Sequence, residues 1–325
     1  MANKLRNVEK LVLGKLEINS RESFLRIGKK IRKSQQRVSY TVNSLIDKGV
    51  IKKFYTIIDY SKLNMLSFRV YFKVNYISEA RFRDLVSFFV KNPHTSWVAT
   101  CGGRYDLICT FLASNPSQFN KVLKEIMEKF PDQLKNYIVL TTIVTRRFGR
   151  KYFFRDFILP EVIFGGDRVP EEIDELDIKI LNEISEDARK SSVKISEKLS
   201  STPKTIIERI KKLQKRKITE GFKPLLDPRN MGYIPTLLLI KYHNVSSRLE
   251  NKLINYLKMH QNVISVVKTL GQWDVEIEIE VRDVMELRKV EMEIRENFAL
   301  LIQQIESIPI YLSYKKNYFP EFLLK

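Results

Sequence analysis

The 325-residue sequence has only two cysteines and three histidines, and its longest apolar runs are short. Cys101 and Cys109 lie on one predicted strand and its lead-in, too far apart along an extended chain to form a disulfide. The apolar runs PTLLLI and FALLI are far shorter than the roughly 20 residues that a membrane helix needs, and no signal-peptide core follows Met1. These absences predict a protein of the reducing cytoplasm that does not enter a membrane.

Motifs for the commoner kinds of enzymatic site are also missing. The chain has no GxxxxGK[ST] phosphate-binding loop and no His or Cys pair at metal-ligand spacing. His94, His243 and His260 stand outside any recognisable motif. We therefore expect no catalytic residues, no metal, no cofactor and no enzymatic activity.

Positive charge, by contrast, is in excess, with a formal net charge of +19. Residues 1–160 contain 30 Lys and Arg against 12 Asp and Glu, which leaves 27 against 26 for residues 161–325. A basic surface can simply keep a protein soluble, but an excess of this size favours a nucleic acid partner. Double-stranded DNA is preferred to RNA, because no recognisable motif supplies an aromatic platform for single strands.

The chain repeats itself at an offset of 168 residues. GGRYDLICTF and LGQWDVEIEIE share a turn in which Gly103 aligns with Gly271 and Asp106 with Asp274. The same offset aligns apolar positions before and after this turn, so the sequence predicts an internal duplication with units near 1–150 and 170–325. Two prolines and a Gly-Gly pair in the segment between the units are linker and turn signals.

Each unit opens with a pattern of three helices and a strand. In the second unit, Thr202 can cap the third helix and Pro203 suits its first position, and apolar residues follow at helical spacing. Ser34 takes the capping place in the first unit. The pattern predicts winged helix-turn-helix heads at residues 1–60 and 171–228.

The third helix of each head is the candidate recognition helix, since this helix lies in the DNA major groove in such folds. Gln and Arg can pair with adenine and guanine, whereas Lys mainly attracts phosphates. An ordinary solvated helix face is the alternative interpretation. The candidate DNA-binding residues are Ser34, Gln35, Gln36, Arg37, Tyr40, Thr41, Lys52 and Lys53 in the first head, and Thr202, Lys204, Thr205, Glu208, Arg209 and Lys212 in the second.

The rest of each unit reads as strand, helix, two strands, helix and strand. SFRVYFKVN, for example, alternates apolar and polar residues with a period of two. This order predicts ferredoxin-like βαββαβ bodies at residues 61–150 and 229–325, joined through a linker at 151–170, and an α+β fold class. Helices cover one face of each sheet, so the other face is exposed or packs against another sheet.

Together these elements resemble the leucine-responsive regulator family, Lrp/AsnC. ELDIKILNEISEDARKSSVKISEKLSSTPKTIIERIKKL is similar to the family's head, GFKPLLDPRNMGY to its head-to-body link, and GQWDVEIEI and GGRYDLICTF to its body turn. The resemblance covers almost the whole chain, twice, as a tandem duplication. The first head is the looser match, because it lacks the acidic opening and has Thr41 where the second head has Arg209.

The resemblance implies a transcriptional regulator that binds double-stranded DNA through its heads and pairs its bodies sheet to sheet. It also implies a small effector, often an amino acid, near the body turns. The effector candidates are Gly102, Gly103, Arg104, Asp106, Gly271, Gln272 and Asp274. A glycine before an aspartate is also ordinary turn chemistry, so a purely structural role is the alternative. Siroheme decarboxylases, which also look like two fused Lrp-type units, supply the alternative function.

Because two copies within one chain can diverge, we expect the bodies to form an asymmetric intramolecular pseudo-dimer, with further homo-oligomers left open. On the expected sheet face, the first body has Arg69 and Lys73, whereas the second has Glu276, Glu278 and Glu280. Charge complementarity predicts that these two sets meet. Exposure of the acidic row to solvent is the alternative.

Overall fold

The computed structural model describes residues 5–154, 159–243 and 246–324. Part of the predicted linker, residues 155–158, and the start of the first head, residues 1–4, lie outside the described residues. The helices are α1 (Asn7–Ile18), α2 (Phe24–Ile31), α3 (Gln35–Asp47), α4 (Glu79–Lys91), α5 (Pro116–Lys129), α6 (Glu175–Glu186), α7 (Ser192–Lys198), α8 (Pro203–Lys215), α9 (Ser247–Met259) and α10 (Val284–Asn297). The strands are β1 (Ile51–Ile58), β2 (Leu66–Val74), β3 (Thr95–Cys101), β4 (Leu107–Ala113), β5 (Leu134–Arg147), β6 (Val162–Gly165), β7 (Thr219–Leu226), β8 (Ile234–Tyr242), β9 (Val263–Leu270), β10 (Val275–Val281) and β11 (Ile302–Lys316).

The duplication is visible element by element. α1 begins at Asn7 and α6 at Glu175, and β5 begins at Leu134 and β11 at Ile302, so both pairs of elements are 168 residues apart. The elements between them follow the same offset. The predicted α+β class, with two helix-turn-helix heads and two βαββαβ bodies, is confirmed.

The two bodies share one ring of strands. In the part of the chain that the structure describes, eight strands follow the order β2–β4–β3–β11–β8–β10–β9–β5, and β5 returns to pair with β2. The first part of β5 pairs with β2 of its own body, and its last part crosses to β9 of the other body. β11 does the same with β8 and β3. This exchange of long strands makes the chain an intramolecular pseudo-dimer.

The heads are joined to each other as well. β1 and β7 pair antiparallel in a two-stranded sheet that contains one strand from each head, with Phe54 opposite Pro224 and Thr56 opposite Phe222. One apolar cluster contains residues of both heads, for example Leu13 and Leu45 with Leu181 and Leu213. Buried apolar surface of this kind holds α3 and α8 in a common framework.

The acidic row of β10 faces the first unit and not solvent. Glu276 forms an ion pair with Arg69, and an oxygen of Glu280 lies 2.8 Å from Arg150 Nη2. The carboxylates of Glu276 and Glu280 are fully buried. The solvent-exposed alternative is therefore wrong for these two residues. Lys73 does not join the row, because its ammonium group pairs with Asp106 of its own body at 3.2 Å.

Helices form the outer layer of both bodies. Separate apolar clusters fill the space between each body's helices and its sheet, and a further cluster that includes Tyr71, Leu140, Leu239 and Trp273 lies between the bodies. None of the helices among the described residues is long and apolar enough to span a bilayer.

Candidate functional site

The exposed face of α3 is the first candidate contact surface. Its start is fixed by Ser34, whose hydroxyl accepts a hydrogen bond from the Arg37 amide at 3.1 Å. Gln35, Gln36, Arg37 and Tyr40 are exposed, and the Arg37 guanidinium lies 5.8 Å from the centre of the Tyr40 ring. These side chains therefore form a contiguous polar surface at the N-terminal end of the helix.

Thr41 does not belong to this surface, and its prediction as a DNA-facing residue is wrong. The residue is only 2% exposed, and its hydroxyl donates a hydrogen bond to the Arg37 carbonyl at 2.7 Å. Thr41 follows Val38 by three residues and precedes Leu45 by four, so it lies on the buried face of α3. The hydrogen-bonding need of the hydroxyl is met by a backbone carbonyl of the preceding helical turn.

The corresponding surface of α8 has different chemistry. Thr202 caps the helix by accepting a hydrogen bond from the Thr205 amide at 3.1 Å. Lys204, Glu208 and Lys212 are exposed and follow one another at intervals of four, while Thr205 is partly exposed. Residues four apart are neighbours on a helix surface, so these three form one charged ridge.

Arg209 is held within its own head. It forms ion pairs with Asp174 and Asp177 at the start of α6, the second at 3.2 Å. The hydrogen bond from Arg209 to Asp174 raises the pKa of the guanidinium. The acidic opening of the second head thus anchors α8, a role that sequence reasoning missed although the acidic opening itself was its signal.

The first head neutralises the equivalent acid differently. Glu9 aligns with Asp177 at the offset of 168, and its carboxylate lies 2.9 Å from Arg6 and 2.8 Å from the ammonium group of Lys48. Lys48 is near the end of α3, whereas Arg209 is in the middle of α8. The helices α3 and α8 are therefore held through different positions, and they expose different side chains.

Lys52 and Lys53 on β1 meet carboxylates of the second unit. The ammonium group of Lys52 is 3.2 Å from Asp227, and that of Lys53 is 3.7 Å from Glu186. Both pairs are partly exposed, so each contributes little to stability. These contacts join the heads. Because a carboxylate lies near each ammonium group, the two lysines attract a phosphate less strongly than free lysines would.

The aspartates of the two body turns each hold the end of a neighbouring strand by a hydrogen bond. Asp106 accepts hydrogen bonds from the Val74 amide at 2.8 Å and from Lys73 at 3.2 Å. Asp274 accepts one from the Tyr242 amide at 2.8 Å, at the equivalent place in the second body. The repeated geometry supports the structural interpretation of the Gly-x-aromatic-Asp pattern.

The glycines have different local requirements. Gly103 has a φ of +83° and Gly271 a φ of +145°, backbone conformations that residues with a side chain rarely adopt. Gly102 packs against Tyr311, since a Cβ atom at Gly102 would lie 2.2 Å from the tyrosine oxygen. Arg104 lies 3.8 Å from Glu306, and Gln272 is exposed.

A groove of about 550 Å³ lies beside the first of these turns, between α4 and the end of β11. Asp106 lines the groove, whereas the other six effector candidates are not among its lining residues. Its walls include Phe82 and Arg83 of α4 and Tyr311 and Tyr314 of β11. Sequence reasoning missed Tyr311 and Tyr314, because β11 belongs to the other unit and reaches the groove only through the strand exchange.

Comparison with known proteins identifies relatives of the units and of the whole fold. A model of the AsnC-type helix-turn-helix domain matches residues 173–214. An HTH-type transcriptional regulator of Pyrococcus furiosus, itself uncharacterized, is 30% identical over 127 residues, which are 39% of this chain and 82% of that protein. The leucine-responsive regulatory protein of Haemophilus influenzae is 29% identical over 123 residues, covering 36% and 72% of the two chains.

The solved structure of the siroheme decarboxylase NirDL matches nearly the whole chain. The TM-score is 0.62 at 13% sequence identity, and the match covers 98% of this chain and 96% of that one. At this identity the likeness concerns the fold. It corrects one prediction. The expectation that the chain is not an enzyme is overturned, because a solved enzyme has the same fold over 98% of this chain.

Proposed function

Because the chain belongs to the Lrp/AsnC family of helix-turn-helix transcriptional regulators, we propose that it binds two unlike half-sites of one DNA operator through α3 and α8. The pairing of β1 with β7 is the observation that carries this proposal, since it joins two different recognition helices in one chain. In this proposal residues 1–60 and 171–228 contact DNA. Residues 61–150 and 229–325 then serve pairing and ligand binding.

The side chains of the two helices support unlike half-sites. Gln35, Gln36 and Arg37 are exposed on α3 and have the donors and acceptors that read adenine and guanine edges. α8 instead exposes Lys204, Glu208 and Lys212, which suit phosphates and the amino group of cytosine. A symmetric palindrome would match only one of these surfaces.

Charge separates the heads in a second way. Residues 1–53 contain 14 basic and 4 acidic residues, whereas the second head has an acidic first helix. Phosphate attraction scales with the number of cations near the backbone and weakens with salt. The first head therefore supplies the stronger sequence-independent hold on DNA.

Selection from a random pool of duplex DNA, at two salt concentrations, tests the proposal. The expected product is a pair of unlike half-sites at a fixed spacing, roughly one helical turn apart or a multiple of this distance. An enriched palindrome would contradict the asymmetric arrangement. Steeply salt-dependent binding with no enriched sequence would contradict sequence recognition itself.

We further propose that the groove beside Asp106 binds an amino-acid-like effector. Arg83 supplies a cation for the carboxylate of such a ligand, and Glu79, which also lines the groove, supplies an anion for its amino group. Phe82 and Tyr311 provide apolar surface for the ligand's side chain. The walls come from both units, so an effector there would alter how the units pair.

Calorimetric titration of the protein with a panel of amino acids tests this site. Arg83→Gln should weaken binding, whereas Arg81→Gln, on the same helix but outside the groove, should leave it unchanged. Equal effects of the two substitutions would show that the effector does not bind in this groove. An absence of binding by the whole panel would remove the effector from the proposal but leave operator binding intact.

Tetrapyrrole decarboxylation is the second candidate function. The observation in its favour is the fold shared with NirDL over 98% of this chain, and NirDL has also been solved with an iron-uroporphyrin III analogue. Adding iron-uroporphyrin III to the purified protein distinguishes the candidates. A shifted Soret band with loss of CO₂ would favour the enzyme, and operator binding without either would favour the regulator.

A further inference from the structure

An internal cavity of about 130 Å³ lies within the ring of strands. All eight strands of the ring contribute to its lining, together with residues 224–229 at the end of β7. The cavity is therefore built by both bodies and by the strand that leads out of the second head. It shares Tyr311 with the groove beside α4, and their other lining residues differ.

The lining contains more cations than anions. The cationic residues are Lys52, Arg69, Arg147, Arg150, Arg229 and Lys316. The carboxylates among the lining residues are Asp227, Glu276 and Glu278. This balance of six to three favours an anionic occupant.

Several of these cations already have close partners. Arg69 pairs with Glu276, and Arg150 with Glu280, which lies just beyond the lining. Arg229 donates two hydrogen bonds to Asp227, at 2.9 and 2.7 Å. The charge that lacks close compensation is therefore concentrated elsewhere in the cavity.

Arg147 is buried and only partly compensated. Its side chain is 5% exposed, and its nearest carboxylate oxygen, on Glu278, is 3.6 Å away. Its Nε atom has no hydrogen-bond partner among the described residues, and the buried hydroxyls of Thr142 and Thr236 lack one too. A buried guanidinium with a free donor is unfavourable, so an acceptor in the cavity would relieve it.

Lys316 adds to the uncompensated charge. It lines the cavity and is only partly exposed, and its ammonium group lies 6.0 Å from the centre of the Trp97 ring. The Glu278 carboxylate interacts electrostatically with both Lys316 and Arg147, and it accepts a hydrogen bond from Ser265 at 2.8 Å. One further negative charge would balance this group.

The remaining walls are mostly apolar. Trp97, Leu237, Val267 and Ile310 lie around the polar group. A cavity of about 150 Å³ accommodates a ligand the size of benzene, so this cavity suits about six non-hydrogen atoms. The occupant therefore has one charged end and a short apolar body.

We propose that this cavity binds a small monocarboxylate of about six non-hydrogen atoms. Its carboxylate accepts hydrogen bonds from Arg147, and its body lies against Trp97 and Leu237. The ligand would touch strands of both units, so its binding stabilises the paired arrangement of the bodies. The site depends neither on operator binding nor on the effector groove.

Butyrate and butyramide provide a matched pair of probes, because both have six non-hydrogen atoms and only one is charged. Calorimetry and thermal denaturation of the full chain are carried out with both, and with lactate and pyruvate as further carboxylates. We expect at least one carboxylate to bind at least tenfold more tightly than butyramide and to raise the Tm. If all three bind no better than butyramide, the proposal is overturned.

Two substitutions locate the binding. Arg147→Gln should weaken carboxylate binding at least tenfold, whereas Arg146→Gln should not, because Arg146 is outside the lining and pairs with Glu161 at 2.9 Å. Arg147→Gln also deprives Glu278 of a partner, so Thr145→Leu supplies an independent test by filling the cavity without removing a charge. Circular dichroism verifies folding. If both variants fold and retain wild-type affinity, the carboxylate binds elsewhere and the proposal fails.

Discussion

The guanidinium of Arg69 on β2 forms an ion pair with the carboxylate of Glu276 on β10, 207 positions further along the chain. The Tyr71 hydroxyl donates a hydrogen bond to the same carboxylate. The pair joins the two bodies across their interface, with the Glu276 side chain fully buried and the Arg69 side chain 13% exposed. The positions equivalent to Arg69 and Glu276 at the offset of 168 hold Leu237 and Ile108, so the pair occurs once, whereas a symmetric homodimer would contain it twice.

Removing one partner of this pair should destabilise the protein strongly. Glu276→Gln or Arg69→Met leaves a buried charge without its counterion, and such changes lower the free energy of unfolding by about 3–5 kcal/mol. The double variant Arg69→Met/Glu276→Leu should recover most of this loss. Urea denaturation measures all three variants.

An exposed pair supplies the comparison for this prediction. Lys179 and Glu175 form an i,i+4 pair on α6, in which the Glu175 side chain is 81% exposed. Lys179→Met should leave the free energy of unfolding almost unchanged, because solvent screens an exposed pair. If the Arg69 and Glu276 variants changed it as little, the pair would not hold the bodies together.

Much of this architecture could be predicted from the sequence. The constant offset of 168 residues and the periods of helices and strands indicate the duplication and both kinds of domain architecture. The exchange of β5 and β11 between bodies could not be predicted, because it depends on which distant strand edges meet. β5 and β9, for example, have no local signal that marks them as partners.

The candidate DNA surface was predictable only in part. Polar residues on α3 and α8 mostly lie where helical periodicity places them, but periodicity does not distinguish a buried threonine from an exposed one at the edge of the apolar stripe. Thr41 is such a case. Arg209 was misjudged for a different reason: its ion-pair partners on α6 could be identified only from the packing of the helices.

Gly28 should be required in the first head. A Cβ atom at this position would lie 2.5 Å from the backbone carbonyl oxygen of Lys33, in the turn before α3. Gly28→Ala should therefore lower the free energy of unfolding by about 1–3 kcal/mol through overpacking, and should weaken DNA binding by this head. Thermal denaturation and binding to a single half-site are the measurements.

The duplication supplies a control for Gly28. Ser196 is the equivalent residue in the second head and is buried with a side chain present. Ser196→Ala should change the free energy of unfolding by less than about 1.5 kcal/mol, since it removes only one hydrogen bond, to the Val193 carbonyl. Wild-type stability of Gly28→Ala would contradict the steric argument.

Lys223 should make stability depend on pH in the alkaline range. Burial lowers the pKa of this lysine from 10.5 to about 8 in the folded protein. Above pH 8 the unfolded chain therefore binds more protons than the folded one, so the free energy of unfolding rises with pH. This residue should contribute a rise of about 1.6 kcal/mol between pH 8 and pH 9.5.

Urea denaturation across this range measures the effect. Lys223→Met should flatten the rise, whereas Lys217→Met, at a side chain that is 70% exposed, should not. Burial also lowers the pKa of Lys151 to about 8, but its contribution is common to all three proteins and cancels in the comparison. An unchanged slope in Lys223→Met would show that the lysine keeps its proton in the folded state.

Substitutions on the two recognition helices should have different consequences for DNA binding. Arg37→Ala removes a side chain suited to guanine and should relax preference at one position of one half-site, by about 1–3 kcal/mol. Lys212→Ala should weaken binding to all sequences alike and lower the slope of log affinity against log salt by about 1.

Thr41→Val is the control, because Thr41 is buried and its substitution should not alter sequence preference. Fluorescence anisotropy with the selected operator and with versions altered in one half-site separates these effects. If Arg37→Ala affected both half-sites equally, the two heads would read the same sequence and the unlike recognition helices would have no functional meaning.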